Sequence, residues 1–306
     1  MMQKTNRQNI HGWIVIDKPK NMGSTDVVNM TRHLLNARKN GHTGTLDPFA
    51  TGVLPIAFGE ATKLAPYVTD GTKIYEFTLR FGFDTTTDDL EGKAVHWGGR
   101  IPLQNEIQKV LPEFIGCIEQ QPPAFSAIRI NGQRAYKLAR EGKDVETPKR
   151  QVEIYSLELI GKKSADSFRL RVECSKGTYV RSLGRDIALK LNTYGHLTEL
   201  RRTKCSNFSL SDTILLENLK NMVYEGKQQD SLLPMETALR DIAALAVSAE
   251  DAAKLRFGQA VSVQAYDVSK NIGQTLAAFD NSCLVALVRI DEDKIAPIRV
   301  FNYDNK

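Results

Sequence analysis

Between residues 73 and 83, KIYEFTLRFGF, apolar side chains fall at every second position. Tyr75, Phe77, Leu79, Phe81 and Phe83 lie on one side, and Glu76, Thr78 and Arg80 on the other. A period of two predicts a strand with one buried face. SFRLRVEC repeats the pattern through Phe168, Leu170, Val172 and Cys174, and VEIYSLELI precedes it as a further strand. GWIVIDKP, Gly12 to Pro19, reads as a short β-branched strand stopped by proline, and VLPIAFG as a buried one followed by a short helix in GEATKLAPYV.

Spacings of three and four mark the longer helices. Val27, Met30, Thr31 and Leu34 share a face behind Ser24 or Thr25, either of which can cap, with Asp26 in the first turn. Leu103, Ile107, Val110, Leu111 and Phe114 form a second such face, and Val180, Leu183, Ile187 and Leu191 a third. On that third helix Arg181 and Arg185, four apart, share another side.

The intervening stretches differ in kind. TTTDDLEGK, Thr85 to Lys93, is predicted as polar loop. Residues 121–150 open on two prolines, contain an NG turn signal and a short helix near Ala135 to Glu141, and read as an excursion from the core. Beyond Ala244, LRFGQAVSVQ, QTLAAFD, CLVALVRID and IAPIRVF predict short strands. The organisation expected is a domain over 1–244 and a small β-rich domain over 245–306.

Composition narrows the class. The chain has 306 residues, 42% apolar and 25% charged, as a soluble globular protein does. No apolar run approaches the roughly 18 residues of a membrane span, and MMQKTNRQNIHGW has no signal-peptide core, so a cytoplasmic protein is expected. Cys117, Cys174, Cys205 and Cys283 form no CxxC pair and are expected as buried thiols, while the five histidines are scattered, which leaves no metal site. Net charge is +5, unevenly spread. Residues 121–150 hold seven basic against three acidic side chains, and residues 171–205 eight against three. Such clusters suit a phosphate backbone, although solvated surface charge would look the same.

Asp47, in GHTGTLDPFATGVLPIAFGEATKL, has the most distinctive setting. Pro48 forces it out of the helical region, and Gly41, Gly44 and Gly52 permit tight turns and close backbone approach. An ordinary Asp-Pro turn fits these residues as well as a presented carboxylate does. A paired-carboxylate glycosidase, a phosphate loop and a GxSxG hydrolase all lack their residues here. A lone carboxylate serving as nucleophile or local base, with a cationic partner, is the chemistry left.

HGWIVIDKPKNMGSTDVV, GHTGTLDPFATGVLPIAFGEATK, the tyrosine of KIYEF, and CSKGTYVRSLGRDI resemble, in that order, the sequence blocks of TruB-type tRNA pseudouridine-55 synthases. The resemblance runs from about residue 11 to residue 210. It implies an α+β fold: a mixed, mostly antiparallel sheet with flanking helices, then a PUA-like C-terminal domain. It implies an enzyme that converts uridine 55 in the T-loop of tRNA to pseudouridine, without cofactor or metal. Asp47 would attack the target uridine, Tyr75 would stack on the flipped base and take part in proton transfer, and Arg181 would pair with Asp47. Lys18 and Pro19 would support the catalytic loop, Tyr179 and Leu200 would complete the pocket, and His42 would help hold the RNA with its base turned out.

The basic excursion coincides with the segment that closes over the RNA stem-loop in this family, and Arg129, Arg134, Lys137 and Arg140 are the candidates for phosphate contacts. The partner implied is the tRNA T-arm, bound by a monomer with no membrane association and no obligate protein partner, with room for an additional tRNA-folding role. A non-catalytic RNA-binding protein is the main competing class, and the joint presence of Asp47, Tyr75 and Arg181 argues against it. Residues 206–306 carry 10 basic and 14 acidic side chains, so the tail is expected to touch RNA weakly and to be removable from a folded, slower enzyme.

Overall fold

The alternation of residues 75–81 becomes the middle of a ten-stranded sheet. The structure, a computed structural model, describes residues 7–130 and 132–303. The first six residues, the Asn131 half of the NG turn signal and the last three residues therefore lie outside the described residues.

Strands β1 (Gly12–Lys18), β2 (Asn40–His42), β3 (Thr51–Phe58) and β4 (Lys73–Phe81) are followed by a separate hairpin of β5 (Phe83–Thr85) and β6 (Ala94–Trp97). β7 (Gly116–Gln120) returns to the main sheet, and β8 (Arg129–Ile130) and β9 (Gln133–Arg134) form a small hairpin inside the excursion. Then come β10 (Arg150–Lys162), β11 (Ser167–Cys174), β12 (Gly195–Cys205), β13 (Phe208–Ser209) and β14 (Thr213–Ile214). The main order is β14-β1-β3-β12-β4-β11-β10-β7, with β2 beside β3 and β13 beside β12. Pairing is parallel only for β1 with β14 and β3 with β12. The sheet is thus mixed and mostly antiparallel, as expected.

Helices α1 (Ser24–Leu34), α2 (Ala65–Asp70), α3 (Gln104–Val110), α4 (Ala135–Arg140), α5 (Val180–Lys190) and α6 (Leu216–Tyr224) accompany it. Val27, Ile107, Leu183, Ile187 and Leu219 share one core with Ile14, Ile16, Leu54, Phe77, Leu79 and Leu170. That core covers one face of the sheet. The other face, through Trp13, Val15, Val53 and Ala57, packs on Phe208, Met235, Leu284, Leu287 and Phe301.

The tail builds a five-stranded sheet in the order β15-β17-β18-β19-β16, from β15 (Ala244–Ala246), β16 (Val261–Ser262), β17 (Thr275–Asp280), β18 (Cys283–Ile290) and β19 (Lys294–Val300). Because Leu284, Leu287 and Phe301 lie in a core shared with Trp13, the tail is fixed to the main sheet. A removable appendage is not what this shared core describes. Lys63 Nζ donates to the Val300 carbonyl at 2.9 Å, and the Asn302 amide donates to Glu60.

Several local expectations fail for physical reasons. Ser24 does not cap α1, because its hydroxyl is used on Leu46 instead. LRFG is not strand: Leu255 and Arg256 end α7 (Ala249–Arg256), which Ser248 caps through the amide of Asp251. Phe83 leaves the sheet after Gly82, whose φ of +107° breaks the alternation, and stacks on Trp97 at 4.6 Å. Leu103 precedes α3 rather than joining its buried face. Cys174 and Cys205 are buried, but Cys117 is exposed. Thr85, Thr87, Asp88 and Asp89, in the stretch expected as polar loop, are buried.

Candidate active site

The loop that carries Asp47 is held by buried side chains from three elements. Lys18, at the end of β1, is fully buried and donates to the carbonyls of Pro19 at 2.9 Å, Met22 at 2.6 Å and Pro48 at 3.2 Å. Ser24 exchanges hydrogen bonds with the carbonyl and amide of Leu46, at 2.9 and 2.8 Å. Arg202, on β12, donates from Nη2 to the Gly44 carbonyl at 3.1 Å. Gly44 sits at φ +143°, a conformation that favours glycine. Leu46 and Phe49 are buried and Thr45 and Pro48 exposed, while Asp47 between them is half-buried.

Asp47 faces a cavity of about 250 Å³, lined among others by Leu46, Tyr75, Tyr179, Val180, Arg181, Leu200 and Arg202. That is smaller than the roughly 300–1,000 Å³ of drug-sized sites. About a third of the Asp47 side chain (32%) opens to the cavity, and Arg181 Nε lies 2.8 Å from its Oδ2. The contact is one of charge: Nε finds no acceptor along its N–H axis. Burial pushes the Asp47 carboxyl above its ordinary value, and the Arg181 charge opposes that rise.

Arg181 itself is 3% exposed and bridges two carboxylates. Its Nη1 lies 3.5 Å from Asp89 Oδ2 and donates to the Thr87 carbonyl at 3.0 Å, while Nη2 donates to the Phe125 carbonyl at 2.9 Å. Asp89 is fixed by the Thr87 hydroxyl and the Glu91 amide. One turn on, Arg185 pairs with Asp88 at 3.0 Å and donates to the Gln121 carbonyl. Burial raises the Asp88 carboxyl to about 6, against the pull of Arg185.

The sequence reading missed Asp88, Asp89 and the role of Arg202. Consecutive acids in a threonine-rich stretch resemble solvated loop. Their signal was Arg181 and Arg185 on a helix face that needed counter-charge.

The other expected residues fall into three places. Tyr75, Tyr179 and Leu200 line the cavity with Asp47 and Arg181. Burial pushes the Tyr75 phenol up to about 12. Tyr179 precedes α5, its backbone amide and carbonyl both bound by Gln120, with the Arg150 guanidinium 5.4 Å from its ring centre. Lys18 and Pro19 lie beneath the loop and not on the cavity wall, and burial brings the Lys18 ammonium down to about 8. His42, on β2, is also off the wall; its Nδ1 accepts from the Gly44 amide at 3.4 Å, and burial lowers its pKa.

Arg129, Arg134, Lys137 and Arg140 are carried by the excursion, away from the cavity lining. Arg134 bonds the Ala127 carbonyl, and Arg140 stacks over Tyr136. The base of the excursion is hooked to α5 through the carbonyls of Gln121 and Phe125. Among the described residues, no group of three His, Cys, Asp or Glu side chains could hold a metal ion. No helix among them is long and apolar enough to cross a membrane.

Comparison with known proteins bears on this arrangement. Residues 32–180 match the N-terminal domain of the TruB family of pseudouridylate synthases, and residues 181–240 match the tRNA pseudouridylate synthase B C-terminal domain. The chain is 45% identical over 298 residues to tRNA pseudouridine synthase B of Caulobacter vibrioides, covering 95% of this chain and 96% of that one. It is 46% identical over 304 residues to the protein of the same name from Bradyrhizobium diazoefficiens, covering 98% and 88%. Among solved structures, a chain of a Cbf5-Nop10-Gar1 complex superposes with a TM-score of 0.74 at 26% identity, over 95% of this chain and 84% of that one.

Proposed function

The chain belongs to the TruB family of pseudouridylate synthases, and from that membership together with its pocket we infer which residues isomerise uridine to pseudouridine in tRNA, and where. The target is uridine 55 in the T-loop, and Asp47 is the nucleophile. The observation that carries this reading is the 2.8 Å approach of Arg181 to Asp47 at the wall of a base-sized cavity. A carboxylate must be ionised to attack, and a buried one needs a cation to stay so.

Uridine enters the cavity flipped out of its loop, at a cost of a few kcal/mol in lost stacking. Tyr75, Tyr179 and Leu200 offer apolar and aromatic faces in exchange. Once the glycosidic bond is broken, the enclosed wall keeps the uracil beside the sugar until carbon 5 replaces nitrogen 1. Tyr75 is the proton-transfer group of the pocket.

His42, beside the loop, helps keep the RNA open, and Arg129, Arg134, Lys137 and Arg140 meet phosphates of the T-arm as the excursion closes. Residues 1–244 form the catalytic domain and 245–306 a PUA-like domain that steadies it. The protein acts as a cytoplasmic monomer without an obligate protein partner, and can assist tRNA folding.

The test is incubation of unmodified tRNA with the full chain, followed by mapping of pseudouridine at nucleotide resolution. One new pseudouridine, at position 55, is expected. Modification at another nucleotide, with 55 untouched, overturns the assignment of position.

A further inference from the structure

Arg202 is among the largest side chains that the fold buries completely, at 1% exposure, yet it lines the catalytic cavity. On β12 it lies opposite Gly52 of β3 on one side and Tyr75 of β4 on the other. The approach to Gly52 is so close that a Cβ there would lie 2.2 Å from the Arg202 carbonyl oxygen. A register shift between Arg202 and Lys204 bends the strand at this point. Its Nε donates to the Val53 carbonyl at 2.8 Å and its Nη2 to the Gly44 carbonyl, and Tyr75, its cross-strand partner, lines the same cavity and feels the guanidinium charge.

What Arg202 lacks is an anion. Arg181 has Asp47 and Asp89, whereas among the described residues no carboxylate stands within ion-pair distance of Arg202. The groups that bear on it most are the Cys205 thiol, the Tyr75 phenol and the Cys174 thiol. Burial holds the Cys174 thiol up to about 11 and the phenol up to about 12, so both are neutral at rest. Lys18, His42 and Lys73 also feel the Arg202 charge, and none of them offsets it. The Lys73 ammonium is occupied by the carbonyls of Val68, Thr69 and Gly71. A buried cation left without a counter-charge is a standing cost to the fold. Such a cost is commonly found where it serves chemistry.

The reaction supplies the missing anion, given the proton-transfer role proposed for Tyr75. When carbon 5 joins the sugar it still holds its hydrogen, and nitrogen 1 is doubly bonded to carbon 6. The product forms when the C5–H electron pair becomes a C5=C6 bond, the C6=N1 pair moves onto nitrogen 1, and a proton passes from carbon 5 to nitrogen 1. A phenol can carry that proton by giving its own to nitrogen 1 and taking the one from carbon 5. Between the two transfers the Tyr75 oxygen is negative. We propose that Arg202 is a positioning residue for Tyr75: set opposite it across β12 and β4 at the wall of the same cavity, its guanidinium stabilises the phenol oxygen while its proton is away. The same guanidinium holds Gly44, so one buried cation serves both the phenol and the loop that carries Asp47.

The test replaces Tyr75 in the full chain by a fluorinated tyrosine, whose phenol ionises at lower pH and can be followed by fluorine NMR below alkaline unfolding. Single-turnover pseudouridine formation and tRNA affinity are measured on the unlabelled proteins. In Arg202→Gln the phenol is expected to titrate at least about one unit higher, and the single-turnover rate to fall at least about tenfold, with tRNA affinity kept. If circular dichroism shows that Arg202→Gln has not folded, Arg202→Lys carries the test. Its ammonium keeps the charge at shorter reach, so a smaller upward shift and a partial loss of rate are expected. An unmoved titration in the folded variant overturns the inference, as does a rate loss fully matched by lost tRNA binding. Full activity of Tyr75→Phe would instead remove the proton-transfer role of Tyr75 on which the inference rests.

Discussion

Nε of Arg181 stands 2.8 Å from Oδ2 of Asp47, close enough for strong attraction but off the axis of a hydrogen bond. The guanidinium is held by the carbonyls of Thr87 and Phe125 and by Asp89, and so does not depend on Asp47 for its position. A cation fixed independently of Asp47 therefore favours the charged form of this carboxylate.

Removing that cation leaves Asp47 and Asp89 without a shared counter-charge. Arg181→Gln is expected to lower stability by about 3 kcal/mol, as for a broken buried pair, measured by urea unfolding. It should also move the acid limb of the pH–rate profile. As the proposed nucleophile Asp47 must be ionised, and burial has already raised its pKa, so the rate is expected to fall as pH drops through that raised value. Without Arg181 the value rises further, and the limb shifts to higher pH.

Asp89→Asn is expected to shift the limb the other way. Asp89 is a like charge that helps raise Asp47, so its loss lowers the Asp47 pKa. The rate constant at neutral pH should still fall about tenfold, because Arg181 loses one of its supports. Opposite shifts in the two variants, read from kcat/KM against pH, would establish the three groups as one electrostatic unit; parallel shifts would contradict it.

Ser24→Ala removes both hydrogen bonds to Leu46, next to Asp47. Two buried backbone groups are then unsatisfied, at a cost of about 2 kcal/mol. The expected result is a lower melting temperature and a reduced kcat, with tRNA affinity unchanged by filter binding.

Neutralising Arg129, Arg134, Lys137 and Arg140 together should act on binding. If these cations meet phosphates, tRNA affinity falls and the plot of log K against log salt becomes shallower by roughly 0.7–0.9 for each phosphate no longer neutralised. At saturating tRNA, kcat should stay within about twofold of wild type.

Phe301→Ala tests the attachment of the tail. Phe301 is 1% exposed in the core that includes Trp13 and Val15, and its truncation should cost about 3–5 kcal/mol. With Trp97 replaced by Phe so that Trp13 alone reports, unfolding followed by fluorescence should shift by the same amount as unfolding followed by circular dichroism. An unshifted Trp13 signal would show that the tail folds apart from the catalytic sheet.

Much of this was legible in local pattern. The alternation of Phe77, Leu79 and Phe81, and the helix face of Leu183 and Ile187, place β4 and α5 correctly because burial enforces a strict period. Arg181 and Asp47 were found through ordered blocks of resemblance; nothing in the long stretch of chain between them shows that they meet. What escaped was long-range polar pairing. Asp88 and Asp89 look like surface loop until α5 supplies Arg185 and Arg181, and Arg202 looks like one more member of a basic cluster until β3 and β4 enclose it. Ser24 was misread for the same reason: a hydroxyl at a helix start satisfies a cap rule, but here it is taken by the backbone of Leu46. The tail's helix at Ala249–Arg256 was lost because LRFGQAVSVQ mixes the end of a helix with a two-residue strand.

The central claim is that Asp47 performs the chemistry. Its most direct test is tritium release from carbon-5-labelled uridine in unmodified tRNA, comparing the full chain with Asp47→Asn and measuring tRNA affinity for both. Release by the wild type, with none from Asp47→Asn at unchanged affinity, is the result expected. Release by Asp47→Asn at the wild-type rate would contradict the account.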